Sequence, residues 1–317
     1  AANAGAISVA GGANATWTKL GYGTTGTPLG MSTYMTFTGS GELENGSSVT
    51  MNITHDDQNA FSSADVALTI PGMGTFKVDQ GGGTGLDRLD DKMPTAWEET
   101  DGTGVGAGLV TLTGAGGGND IEWAVDSGML PDGMSAYVSY APKADGKNAN
   151  DKATGGDAGG NVDGKGWDIV VEHSGLGDGL NVFAGYSVID QGAVTMSDRT
   201  AYGVGATYAV GPVTLGYQFT RDALNNPGGT DMYENNAYGI TFNVSDDLSI
   251  SYGNHESEKK SVSAGIGATV DATSIQAAYS MGGATLKIAD TTVDNAAYDS
   301  TTASDRSGTT IMLSLAF

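Results

Sequence analysis

The sequence predicts an all-β fold: a closed antiparallel transmembrane β-barrel of about sixteen strands, one unit over residues 1–317. Three observations carry that prediction. Apolar and polar residues alternate with period two along the chain, while helical periodicity is almost absent. Tyr and Phe gather on the apolar face near segment ends, and short turns alternate with long polar links.

The alternation is cleanest at the C-terminus, where Thr309, Ile311, Leu313, Leu315 and Phe317 share one face and Thr310, Met312, Ser314 and Ala316 the other. Val213, Leu215, Tyr217 and Phe219 alternate in the same way with Thr214, Gly216, Gln218 and Thr220. Tyr238, Ile240, Phe242 and Val244 alternate with Gly239, Thr241 and Asn243, and the segments around 121–125, 248–252 and 275–281 repeat the pattern. The aromatic residues Tyr140, Tyr202, Tyr208, Phe219, Tyr238, Phe242 and Phe317 sit where a girdle meets lipid headgroups, an interface that suits rings with one wet edge. A soluble sandwich would place such rings mid-core. The opposite face is Gly, Ser, Thr, Asn, Asp and Glu, a poor packed interior that a water-filled lumen accepts without desolvation cost.

Strands are expected at about 6–20, 31–39, 48–56, 62–70, 73–80, 119–127, 134–142, 166–174, 180–189, 199–210, 212–221, 235–244, 247–256, 270–281, 284–293 and 308–317. Short turns fall at 70–74, 209–213, 244–248 and 280–284. Long links are expected at 21–30, 57–61, 81–118, 143–165, 190–198, 222–234, 257–269 and 294–307, as a barrel with a periplasmic and an external rim requires. An even count brings the last strand beside the first and removes both edges. The segment 257–272 is ambiguous and leaves fourteen or eighteen strands open.

Composition narrows the class. The chain carries 14 Lys+Arg against 37 Asp+Glu, a net charge of −23, which argues against nucleic acid or an anionic membrane surface as partner. No stretch approaches the roughly 18 apolar residues of a spanning helix. With no Cys there are no disulfides or thiolate metal sites. The opening AANAGAISVA lacks a basic segment followed by an apolar run, so a mature, processed chain is expected.

In architecture the chain resembles the trimeric, sixteen-stranded general porins of Gram-negative outer membranes, of the alphaproteobacterial type. Three features add to the resemblance: the terminal Phe317 on an alternating strand, the run Thr75, Phe76, Lys77, Val78, Asp79 that is similar to the strand before the family's constriction loop, and the link 81–118, the longest and the third of the long ones. The resemblance implies a passive channel for small hydrophilic solutes, no catalysis, no cofactor, a homotrimer, and lipid and lipopolysaccharide around it. It also implies that 81–118 folds inward and brings Asp87, Asp90, Asp91, Glu98 and Glu99 to the passage. Asp91 is positioned to cap a short helix through Pro94, Ala96 and Glu98, with Trp97 anchoring it to the wall.

Such porins place Arg and Lys opposite the acidic loop. Here alternation puts only Lys77 and Lys287 into the lumen, against Asp65, Asp79, Asp120, Glu122, Asp126, Asp168 and Glu172, so a preference for cations is expected. Rim positions for many of these carboxylates are the alternative. Residues Gly82 to Asp90 match a calcium-binding nonapeptide once, without the tandem copies it needs; adventitious Ca²⁺ at Asp56 and Asp57 or Asp246 and Asp247 is more plausible chemistry. His55 beside Asp56 and Asp57 raises an outer-membrane protease or lipase, but no Ser stands at nucleophile-elbow spacing. An acidic surface protein or adhesin is the remaining alternative, and it explains neither girdle nor loop pattern.

Overall fold

The computed structural model describes residues 5–23, 26–57, 59–117, 119–144, 163–191, 197–225, 230–261 and 265–317. Sixteen strands form one closed barrel: β1 (Ala6–Leu20), β2 (Leu29–Glu42), β3 (Ser48–Asp56), β4 (Asn59–Ile70), β5 (Gly74–Asp79), β6 (Asp120–Val125), β7 (Met134–Ala141), β8 (Asp163–Ser174), β9 (Leu180–Gln191), β10 (Arg199–Val210), β11 (Val213–Ala223), β12 (Thr230–Asn243), β13 (Leu248–Ser261), β14 (Gly265–Met281), β15 (Ala284–Asp294) and β16 (Arg306–Ala316). Each pairs antiparallel with its sequence neighbours, and β1 closes on β16 from Gly12↔Ala316 to Leu20↔Gly308. The terminal Phe317 completes that seam: its N–H and carbonyl exchange bonds of 3.0 and 2.9 Å with Gly11.

The tight turns follow from local chemistry. Val210 pairs with Val213 and Met281 with Ala284, leaving two-residue hairpins whose Gly211 (φ 56°) and Gly282 (φ 67°) adopt the left-handed backbone such turns demand. Outward positions are apolar and open to lipid, including Val204, Tyr208, Leu215, Tyr238, Phe242 and Ile288. Tyr202 and Tyr208 lie six residues apart on β10, about 20 Å along the strand, so one lies toward each end of the apolar band. Ring pairs Tyr140–Trp167, Tyr202–Phe219 and Tyr238–Tyr252 bridge neighbouring strands in the girdle.

Several links expected to be long are short. β3 ends at Asp56 and β4 begins at Asn59; β13 reaches Ser261 and β14 begins at Gly265; β12 begins at Thr230 rather than 235. The reason is that these strands continue past the apolar band. There both faces meet water, so Glu234, Glu256, Glu258 and Lys260 occupy outward positions and the alternation of hydrophobicity vanishes while the ladder persists. Most of the links expected at 143–165 and 190–198 lies outside the described residues.

Among the described residues the barrel has no central core. Its buried apolar side chains form clusters between the wall and the connection from β5 to β6: Leu86, Leu89, Leu112, Val170, Phe183 and Ala201; Val105, Ala107, Val270, Ala272, Val293 and Ala296; and Ala115, Ala141, Ala144 and Ile189.

Candidate pore constriction

The third external connection, from Gln80 onward, folds into the lumen and follows the inner wall out and back. No helix forms at 91–98; the loop instead contains short 3-10 turns at Gly85–Leu89 and Gly114–Gly117. Pro94 would be tolerated in a first helical turn, but the backbone groups of the segment find their partners on the wall instead. Ala96 N–H donates to Ser251 Oγ at 2.9 Å, and the N–H groups of Trp97 and Glu98 both donate to Gln276 Oε1 at 3.1 Å. Gln276 Nε2 returns a bond to the carbonyl of Glu98 at 2.8 Å. Trp97 is absent from the apolar clusters; the anchors are Leu86, Leu89, Val105 and Leu112.

The wall receives the loop through a trough of glycines. Gly216, Gly239 and Gly253 are cross-strand neighbours on β11, β12 and β13, and Gly185 faces Gly203 on β9 and β10. A Cβ on Gly203 would lie 2.7 Å from Leu112 Cδ2, and one on Gly239 would lie 2.5 Å from the carbonyl oxygen of Pro94. This is a signal the sequence held: lumen-facing glycines at register-matched positions mark where a second layer of backbone approaches.

Wall carboxylates clamp the start and return of the loop. Asp168 accepts from Leu86 N at 2.8 Å, Ala115 N at 3.0 Å and Gly116 N at 3.0 Å. Glu122 accepts from Gly85 N at 2.7 Å and Ser139 Oγ at 3.2 Å and pairs with Arg88 at 2.5 Å, while Thr84 Oγ1 donates to Asp120 at 2.8 Å. Arg88 also lies 3.7 Å over the Tyr137 ring, and Lys92 pairs with Glu172 at 2.8 Å. At the far end Thr103 bonds Thr291 at 2.5 Å, Val110 N–H donates to Tyr298 OH at 2.8 Å, and Arg306 donates to the Gly106 carbonyl. These contacts run along the wall from β6 round to β16. The lumen faces of β1 to β4 carry their own ladder of hydroxyls and amides ending on a carboxylate: Asn14 to Ser32, Thr36 with Thr54, Thr38 to Asn52, and Asn52 to Asp65.

An acidic loop held inside a sixteen-stranded barrel is a pore architecture, and the Gram-negative porin family profile matches residues 1–308. The chain belongs to the Gram-negative porin family. No curated protein matches it. Among solved structures, OmpF of Salmonella typhi in complex with daunomycin superimposes with a TM-score of 0.72 at 14% identity, covering 99% of this chain and 98% of that one. An anion-selective porin from Comamonas acidovorans gives 0.70 at 13% identity, over 99% and 100% of the two chains. A multiply substituted porin of Rh. blastica gives 0.62 at 16%, over 98% and 100%. At 13–16% identity these superpositions share the fold but few of the side chains.

Those of this porin sort differently from their sequence positions. Asp79, Asp120, Glu122 and Asp168 do face the lumen but are nearly covered by the loop, holding it rather than lining open water. Asp126 caps the turn after β6 through Gly128 N at 2.8 Å, at the rim. Lys77 is lumenal and bound to Asp79 at 3.2 Å. The expectation that only Lys77 and Lys287 are lumenal is corrected: Arg88 and Lys92 come from the loop, Arg199 forks onto Asp222 at 2.9 and 2.5 Å, Lys259 lies over Tyr298, and Arg306 reaches the returning leg. Contacts with the loop, the loop's neighbours and adjacent strands hold these groups in place, and alternation read strand by strand does not register them.

The loop itself carries Asp87, Asp90, Asp91, Glu98, Glu99 and Asp101. Desolvation, then the fields of Asp91, Asp87 and Asp101, push Asp90 up to about 7. Desolvation and the neighbouring Glu98 push Glu99 up to about 7, and burial with Glu99 close by raises Asp91 as well. Burial alone would raise Asp101 too, but His255, 3.7 Å away, and a backbone donor hold its carboxyl below the usual range. Asp87 folds back to accept Gly83 N at 2.6 Å, so the single nonapeptide match builds a local turn. Among the described residues no group of three or more acidic or His side chains converges as a metal site.

Proposed function

We propose that this porin, a general diffusion channel of the outer membrane, prefers cations, admits small hydrophilic solutes by size at the loop, works without a resident cofactor, and assembles as a homotrimer with its external rim among lipopolysaccharide. One observation carries the selectivity: the loop holds six carboxylates, the lumen faces of β1 to β4 add hydroxyls, amides and the further carboxylate Asp65, and the basic groups Lys77, Arg88, Lys92 and Arg199 are each spent on a carboxylate in contact. In a narrow, weakly screened passage uncompensated negative charge concentrates cations and excludes anions. A reversal potential measured across a KCl gradient in a planar bilayer tests this. Cation preference is the expected sign, and anion preference overturns the proposal. The oligomer is tested by heat-modifiable migration in detergent, where a monomer at every temperature overturns the trimer.

A further inference from the structure

Lys287 differs from the lumenal cations just described, which rest on carboxylates, a ring or a backbone carbonyl. Lys287, on β15, has Ala278 and Met312 as its cross-strand neighbours, and among the described residues it has no hydrogen-bond or ion-pair partner. It lines a recess of about 540 Å³ on the short-turn side of the constriction, between the turns joining β12 to β15 and the underside of the loop. Roughly 300–1,000 Å³ is the range in which small ligands are held. Trp97 forms the recess's loop side, and Asp246 and Asp247 its turn side, with Asn243 and Thr285 supplying an amide and a hydroxyl between them.

Each component is odd for mere plumbing. Trp97 is the one aromatic residue of the loop 81–118, and it contributes to none of the apolar clusters that pin that loop. Its backbone is nonetheless fixed, since its N–H is held by both Gln276 Oε1 and Thr95 Oγ1 at 3.1 Å. An indole on a fixed backbone at the edge of a polar recess offers a π-face to a passing solute. Lys287 would repel the very cations an acid-lined pore favours, while Asp246 and Asp247 repel anions. A solute carrying one charge of each sign satisfies both groups.

We propose that this recess is a transit site for small zwitterions, with the solute's carboxylate at Lys287, its ammonium toward Asp246 and Asp247, and its methyl or methylene groups on the Trp97 ring. Quaternary ammonium groups suit an indole face especially well, through cation–π attraction. The site deepens the channel function given above and rests on it. Its service is to recruit net-neutral polar solutes that a purely acidic passage neither attracts nor orients.

Single-channel recording in KCl with added glycine betaine tests the assignment, with choline, acetate and glucose as single-charge and neutral controls. Betaine is expected to produce concentration-dependent current noise and partial block beyond any control. The apparent dissociation constant should rise on the order of three- to thirtyfold in Trp97→Ala and likewise in Lys287→Gln. Both variants alter side chains outside the loop's anchors, and their KCl conductance reports that the pore is intact. Normal KCl conductance without betaine block overturns the site and leaves the channel standing. Equal block by choline or glucose, or block unchanged in both variants, also overturns it. A folded, inserted barrel with no KCl conductance overturns the channel reading itself.

Discussion

Removal of Asp168 should open the pore without unfolding the barrel. Its carboxylate, 2% exposed on β8, binds the outgoing leg at Leu86 N and the returning leg at Ala115 N and Gly116 N. Asp168→Ala strips the shared acceptor from three backbone donors. An orphaned buried donor costs roughly 1–3 kcal/mol, so three sum to about 3–9 kcal/mol. Relaxation and water reaching the freed amides bring the net loss to the lower part of that range, about 3–5 kcal/mol. That loss falls on docking of the loop. The sheet bonds of β8 to β7 and β9 are backbone to backbone, with Ser139↔Asp168↔Ser187 in register, and survive the substitution. Single-channel conductance should therefore rise and flicker, and liposome swelling should admit larger sugars, while the temperature at which the barrel converts to slower migration barely moves. A folded Asp168→Ala barrel with wild-type conductance and sieving would refute the clamp.

Acidification from about pH 8 to about pH 6 should weaken cation preference in reversal-potential measurements, because Asp90 and Glu99, both raised to about 7 by burial first and neighbouring carboxylates second, lose their charge across that window. Their pKa values lie above those of the released loop, so their contribution to loop docking is fully present below the ordinary carboxylate range and is lost as pH rises through about 7; conductance noise should accordingly grow with pH. Arg199→Ala leaves Asp222, 3% exposed, as a buried carboxylate without its fork and should cost about 3–5 kcal/mol, read as a lowered thermal transition in detergent. A wild-type transition temperature there would mean that the pair is solvated.

The barrel was legible because a membrane writes its own pattern. Lipid on one side and water on the other impose period two on every spanning residue, so the run Thr309 to Phe317 is readable as a strand without any partner. The even count and the inward loop followed from closure and from resemblance. Where that two-solvent contrast stops, so does legibility: the wet extensions of β12, β13 and β14 past the girdle read as loops.

The constriction was legible only in part. Its charge and its place in the chain are local properties, and the acidic run Asp87 to Glu99 shows them. The loop's conformation is not local, because its partners are Asp168, Ser251, Gln276 and Thr291, far along the chain and brought together only when the barrel closes. Tertiary structure alone divided the lumenal carboxylates into clamps and lining, and set Lys287 and Trp97 on one recess. A strand's sequence states which face a side chain takes; what meets it across some tens of ångströms of lumen is decided by how the whole sheet curves shut.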